Sequence, residues 1–150
     1  MGAAIALNAT SRDPRIDAVV AECPFASLQE AGFDYVSRHH GPWLGRTILW
    51  PAAEAGIHAM EREGQFDAVE TAPVRAVARR AFPVFLIVDG DDRTLPRRHA
   101  EQIFASVAGL KQIWTIPRAS HATGLGSAPE EYRRRVLEFL SEVAKEKSNE

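Results

Sequence analysis

Between Phe82 and His121 the hydrophobic pattern changes period twice. Pro83 to Val88 is an unbroken apolar run bounded by turn residues, which predicts a strand covered on both faces. Ala100, Ile103, Phe104 and Val107 then recur at helical spacing, with Pro96 in the predicted first turn and Gly109 just past the end. Lys111 to Pro117 returns to a strand pattern, with Ile113 and Trp114 as its apolar centre. A strand, a crossover helix and a second strand of this length form a right-handed parallel unit, so both strands deliver their carboxyl ends to one edge.

Upstream, Met1 to Asn8 reads as a short helix stopped by Ser11, Arg12, Asp13 and Pro14. Ala3 to Leu7 leave it no polar face, and a helix apolar all round belongs in an interior. Ile16 to Cys23 predicts a further strand, stopped by Pro24. From Phe25 to Arg80 the pattern is helical and irregular, with breaks predicted at Gly32, the Gly41-Pro42 pair, Gly64 and Pro73. Its many large apolar residues, among them Phe33, Tyr35, Trp43, Ile48, Trp50, Ile57 and Met60, leave two readings open. They are additional core, or a lid that supplies an apolar substrate pocket. Downstream, Ser127-Ala128-Pro129-Glu130 has the form of a capping box. It predicts a helix with Tyr132, Val136, Phe139, Leu140 and Val143 on one face, Arg133 to Arg135 on a solvated face, and a frayed charged end from Lys145 to Glu150. Nothing divides the chain, so residues 1–150 read as one α/β domain carrying a helical, lid-like insertion at 26–80.

Composition narrows the partners. The 150 residues are 45% hydrophobic and 25% charged, which suits one ordinary globular domain. A net charge of −2 gives no basic footprint for nucleic acid. The first residues lack the basic and long apolar regions of a signal peptide. Trp43 to Met60 is interrupted by Arg46, Pro51 and Glu54 and falls short of the roughly 20 apolar residues that span a bilayer. Neither a nucleic-acid nor a membrane partner is expected, and the expected location is cytoplasmic. The single cysteine, Cys23, excludes an internal disulfide and has no basic neighbour to activate it, so it reads as a buried strand-end thiol.

The candidate chemistry lies where the two central strands end. Adjacent strands are about 4.8 Å apart, so a carboxylate in the first strand-end loop reaches an imidazole in the second. Asp89, Asp91 and Asp92 all follow the first strand; turn chemistry explains acids there, but Asp92 lies far enough along the turn to face the neighbouring loop. His121 sits in the loop after the second strand. An Asp that orients a His is two-thirds of a hydrolytic triad. His39, His40, His58 and His99 lie in helical or polar surroundings and read as surface or packing residues. None of the five histidines has metal-ligand spacing with another His, Cys or acid, so no metal and no cofactor is expected.

These residues carry a family resemblance. Asp92-Arg93-Thr94-Leu95-Pro96, followed by Arg98-His99-Ala100, resembles the acid loop of α/β-hydrolases, and Ile116-Pro117-Arg118-Ala119-Ser120-His121 resembles their histidine loop. Ala21-Glu22-Cys23-Pro24-Phe25 resembles the strand end after the nucleophile helix in the prolyl-oligopeptidase-like and serine-aminopeptidase-like branches. The chain order, acid then histidine, is that family's order. The resemblance implies a partial α/β-hydrolase fold of about three parallel strands flanked by helices, with Asp92 and His121 as catalytic acid and base and a small-molecule ester or peptide as substrate.

It also implies a deficit. Met1-Gly2-Ala3-Ala4 resembles the stretch just after the nucleophile in Gly-x-Ser-Met-Gly, which places that serine just ahead of residue 1, and no serine in the chain stands in a Gly-x-Ser-x-Gly turn. The resemblance assigns the backbone N–H of Met1 to the oxyanion hole. It leaves the strand Ile16 to Cys23 with an open edge, through which the chain could self-associate. The chain therefore reads as the carboxyl-terminal part of a serine hydrolase, inactive alone. A rival reading is a non-catalytic remnant that pairs through that edge. A third takes Val88 to Leu95 as a magnesium-dependent phosphohydrolase motif, but Arg93 stands where that motif wants a threonine.

Overall fold

The computed structural model describes residues 1–149 except 45, 46 and 48; the readings of Arg46, Ile48 and Glu150 fall outside the described residues. The elements run in the order α1 (Gly2–Arg12), β1 (Val19–Glu22), α2 (Leu28–His40), α3 (Pro42–Leu44), α4 (Trp50–Gly64), α5 (Pro73–Arg79), β2 (Val84–Asp89), α6 (Arg98–Ser106), β3 (Lys111–Ile116), α7 (Gly124–Ser127) and α8 (Pro129–Ser148).

The three strands form one parallel sheet in the order β1-β2-β3. All six residues of β2 are buried, as its unbroken apolar run requires of a central strand covered on both faces. Its side chains alternate. Val84, Leu86 and Val88 join Leu7, Val77, Ala100 and Ile103 from α1, α5 and α6 on one face of the sheet. Phe85 and Ile87 join Ile116, Phe139 and Val143 on the other, under α8. Helices on both faces of a parallel sheet make a three-layer α/β architecture. Among the described residues, β1 has a strand partner on one side only.

Several local readings differ from the sequence expectation. Helix α1 runs on to Arg12, because the hydroxyls of Thr10 and Ser11 donate to the carbonyls of Ala6 and Asn8 and so do not compete with the helix. It is not interior all round: Ala4 and Leu7 are buried, whereas Met1 and Ile5 are exposed. Helix α2 passes straight through Gly32. A Cβ there would meet Ile57 Cδ1 at 3.6 Å, an ordinary van der Waals contact, so this glycine lies within the α2–α4 packing and is not a break. Pro96 precedes α6 instead of lying in its first turn.

The predicted capping box at Ser127 does not form. The Ser127 N–H donates to Thr123 O in the short turn α7, and α8 starts at Pro129 with Ala128 as a cap that has no side-chain hydrogen bond. A serine cap is found instead at Ser27, whose Oγ accepts the Glu30 N–H at 3.2 Å and starts α2.

Candidate active site

The sheet presents two loops at its carboxyl edge. Gly90 N–H donates to Ile116 O and Asp91 N–H to Ala119 O, both at 2.9 Å, which ties the loop after β2 to the loop after β3. Asp92 closes a turn on itself: its Oδ1 accepts the N–H groups of Thr94 at 2.7 Å and Leu95 at 3.0 Å. That leaves Oδ2 facing the second loop, where it lies 2.7 Å from Nδ1 of His121. The carboxylate side chain is 2% exposed and the imidazole 38% exposed, so the pair has a buried acid and an accessible base. Burial alone raises the Asp92 pKa, but the His121 hydrogen bond and the Leu95 and Thr94 N–H groups outweigh it and hold the carboxyl below its usual range. Of the three candidate aspartates, then, Asp92 meets His121, Asp91 is exposed, and Asp89 turns inward.

The roles of Asp89 and Glu22 are what sequence reasoning missed. Asp89 is 2% exposed and its Oδ2 accepts the Thr123 N–H at 3.2 Å. Glu22, at the tip of β1, accepts the Gly124 N–H at 2.8 Å through Oε1 and the Tyr132 hydroxyl at 2.9 Å through Oε2. Two strand-tip carboxylates thus hold the backbone immediately after His121. A Cβ on Gly124 would lie 2.9 Å from both Asp89 Oδ1 and Glu22 Oε1, so only glycine lets the loop come this close. Burial, then the hydrogen bond and charge of Glu22, push the Tyr132 phenol up to about 12, so it donates throughout the neutral range. Cys23 follows Glu22 with φ 47°, and burial pushes its thiol up to about 12. It is half-buried, in keeping with a strand-end thiol.

His99 makes the second Asp–His pair and shows what the first is not. Its Nε2 lies 2.8 Å from Asp34 Oδ2, its Nδ1 accepts the Ala26 N–H at 3.2 Å, and the ring is 1% exposed. Arg98 binds the same carboxylate. This pair clamps α2 to α6, and its imidazole is closed off from solvent. Met1, the oxyanion candidate, caps α1, and no hydrogen bond among the described residues joins it to Asp92 or His121. Its side chain lines a cavity of about 350 Å³ with Ile5, Phe25, Leu28, Met60 and Phe66. Phe25 stands two residues past Cys23, in the loop between β1 and α2.

No family model and no curated protein matches the sequence. Solved structures do match in shape. The esterase Pf2001 of Pyrococcus furiosus superposes with a TM-score of 0.66 at 19% identity, over 93% of this chain and 50% of its own. An acetyl xylan esterase from Paenibacillus sp. R4 gives 0.62 at 18% identity, over 90% of this chain and 42% of its own. MGS-M2, an alpha/beta hydrolase from a Medee basin deep-sea metagenome library, gives 0.58 at 14% identity over 93% and 62%. The fold is part of the α/β-hydrolase fold. The chain spans about half the length of the solved structures it resembles. Among the described residues, no helix is long and apolar enough to cross a membrane.

Proposed function

We propose that this chain carries the acid and the general base of a serine hydrolase of the esterase or peptidase kind, in the prolyl-oligopeptidase-like or serine-aminopeptidase-like branch. The observation that carries the reading is the 2.7 Å contact between Asp92 Oδ2 and His121 Nδ1, with the acid buried and the base open to solvent. The Asp92 carboxylate fixes the tautomer in which Nδ1 is protonated, leaving Nε2 to take a proton from a serine and return it to the leaving group; the carboxylate then stabilises the imidazolium that forms. The serine belongs to a segment outside these 150 residues, in the position that Met1-Gly2-Ala3 follows. That segment's strand would pair with the side of β1 that has no strand partner among the described residues. Residues 26–80 act as a lid-like insertion whose Leu28, Met60 and Phe66 line an apolar pocket for a small-molecule ester or peptide.

The test compares this chain with a polypeptide that also includes the upstream strand and serine, using a p-nitrophenyl ester. The longer polypeptide is expected to hydrolyse it. Asp92→Asn lowers the rate by about 10⁴ and His121→Ala by about 10⁶, as in measured triads. The 150-residue chain alone stays at background. Labelling of this chain by a fluorophosphonate at one of its own serines, or an Asp92→Asn variant of full activity, overturns the proposal.

A further inference from the structure

Three chain segments meet at the carboxyl edge of the sheet, and each brings a metal-ligating atom. Cys23 stands at the tip of β1, Asp92 in the loop after β2 and His121 in the loop after β3. Their donor atoms, one sulfur, one carboxylate oxygen and one ring nitrogen, all lie within 4.8 Å of one another. We propose that Cys23, Asp92 and His121 bind a zinc ion, whether or not the chain takes part in hydrolysis.

The donor set argues for zinc among the divalent ions. Thiolate and imidazole are poor partners for Mg²⁺ or Ca²⁺, which take oxygen ligands, whereas S, N and O together suit tetrahedral Zn²⁺. Metal–ligand lengths of about 2.0–2.3 Å place tetrahedral donors roughly 3.3–3.6 Å apart. The widest present spacing, up to 4.8 Å, therefore has to close by about 1.2–1.5 Å to reach that geometry, a movement open to the half-exposed His121 ring. Three protein ligands leave the fourth position to water, the arrangement of zinc sites that stay open.

The surroundings decide what binding would do. Burial and the Asp89 carboxylate keep the Cys23 thiol protonated, so the sulfur is inert toward carbonyl substrates. A zinc ion changes that, since a coordinating thiol gives up its proton to solvent. The Asp92 oxygen and the His121 nitrogen that now share a proton would share the metal instead. Where the hydrolase reading holds, the bound ion withdraws the general base from proton transfer and acts as a reversible inhibitor; that consequence rests on the reading, whereas the binding does not. Sequence spacing could not reveal this site, because its ligands lie far apart in the chain and only the parallel sheet gathers them.

The probe is cobalt(II), used with the whole chain and followed by competition with zinc. Cys23 is the single cysteine, so a thiolate-to-cobalt charge-transfer band in the unaltered protein can arise from no other residue. The band is expected to saturate at one equivalent and to disappear on adding one equivalent of zinc. Cys23→Ala, checked for folding by far-ultraviolet circular dichroism, should lose the band. It should also weaken zinc binding in calorimetry by more than the roughly 10–100-fold that loss of a supporting group costs. Replacing His39, His40 and His58 by Asn should leave both signals intact. Absence of the band in the unaltered protein, zinc affinity unchanged in Cys23→Ala, or loss of binding in the triple surface variant would each overturn the site.

Discussion

Gly124 donates its backbone N–H to the Glu22 carboxylate at 2.8 Å, across an interval of 102 residues. This contact fastens the segment after His121 to the tip of β1 and makes the histidine loop depend on a strand it does not follow in sequence.

Gly124→Ala tests that dependence. The added methyl would sit 2.6 Å from Ile116 Cδ1 and 2.9 Å from two carboxylate oxygens, so the loop has to lift. Overpacking of this kind costs about 1–3 kcal/mol, to be read from the urea midpoint. The His121 ring should lose its Asp92 partner at the same time, seen as a change in its nitrogen chemical shifts.

Glu22→Gln keeps the shape and removes the charge. The amide oxygen can still accept from Gly124, but the Tyr132 hydroxyl no longer faces a carboxylate. The Tyr132 phenol, now raised to about 12 by burial and by Glu22, should ionise at lower pH, which ultraviolet titration measures directly.

The Asp92 carboxyl titrates below its ordinary value of 3.8. A carboxylate depressed by folding contributes stability that is complete above the unfolded pKa and is lost as pH falls through the folded one. Asp92→Asn abolishes that contribution. The wild-type chain should therefore be the more stable at neutral pH, and the two should converge in strong acid, in urea midpoints taken across the range.

His99→Leu removes a buried ring that accepts the Ala26 N–H and faces Asp34. It leaves the Ala26 N–H without a partner, at about 1–3 kcal/mol for an unpaired buried group, and takes one of two partners from the Asp34 carboxylate, which keeps Arg98. The loss should appear as earlier urea unfolding and as faster hydrogen exchange of the Ala26 amide.

The three parallel strands and the meeting of Asp92 with His121 were legible because they follow from period and chain order alone. An unbroken apolar run means a doubly covered strand, and a strand-helix-strand unit has one hand. The roles of Glu22 and Asp89 were not legible, since an acid at a strand tip looks the same whether it faces water or caps a distant loop. Gly32 misled for a related reason: a glycine that breaks a helix and one carried inside it share one letter. The capping pattern at Ser127 was outweighed by α7, which had already used that residue. Ser27, with a glutamate at the same spacing, does form its cap.

Because sheet-borne acids grip the main chain behind His121, the outward side chains around it carry little of the loop's shape. Arg118, Ser120 and Leu125 are all exposed. Mutational drift or directed evolution can rewrite Leu125 without moving the imidazole, and Arg118 among residues that accept its φ of 61°, whereas Ser120 shares a hydrogen bond with Thr123; this rim is the natural place to retune what is admitted to the edge of the sheet.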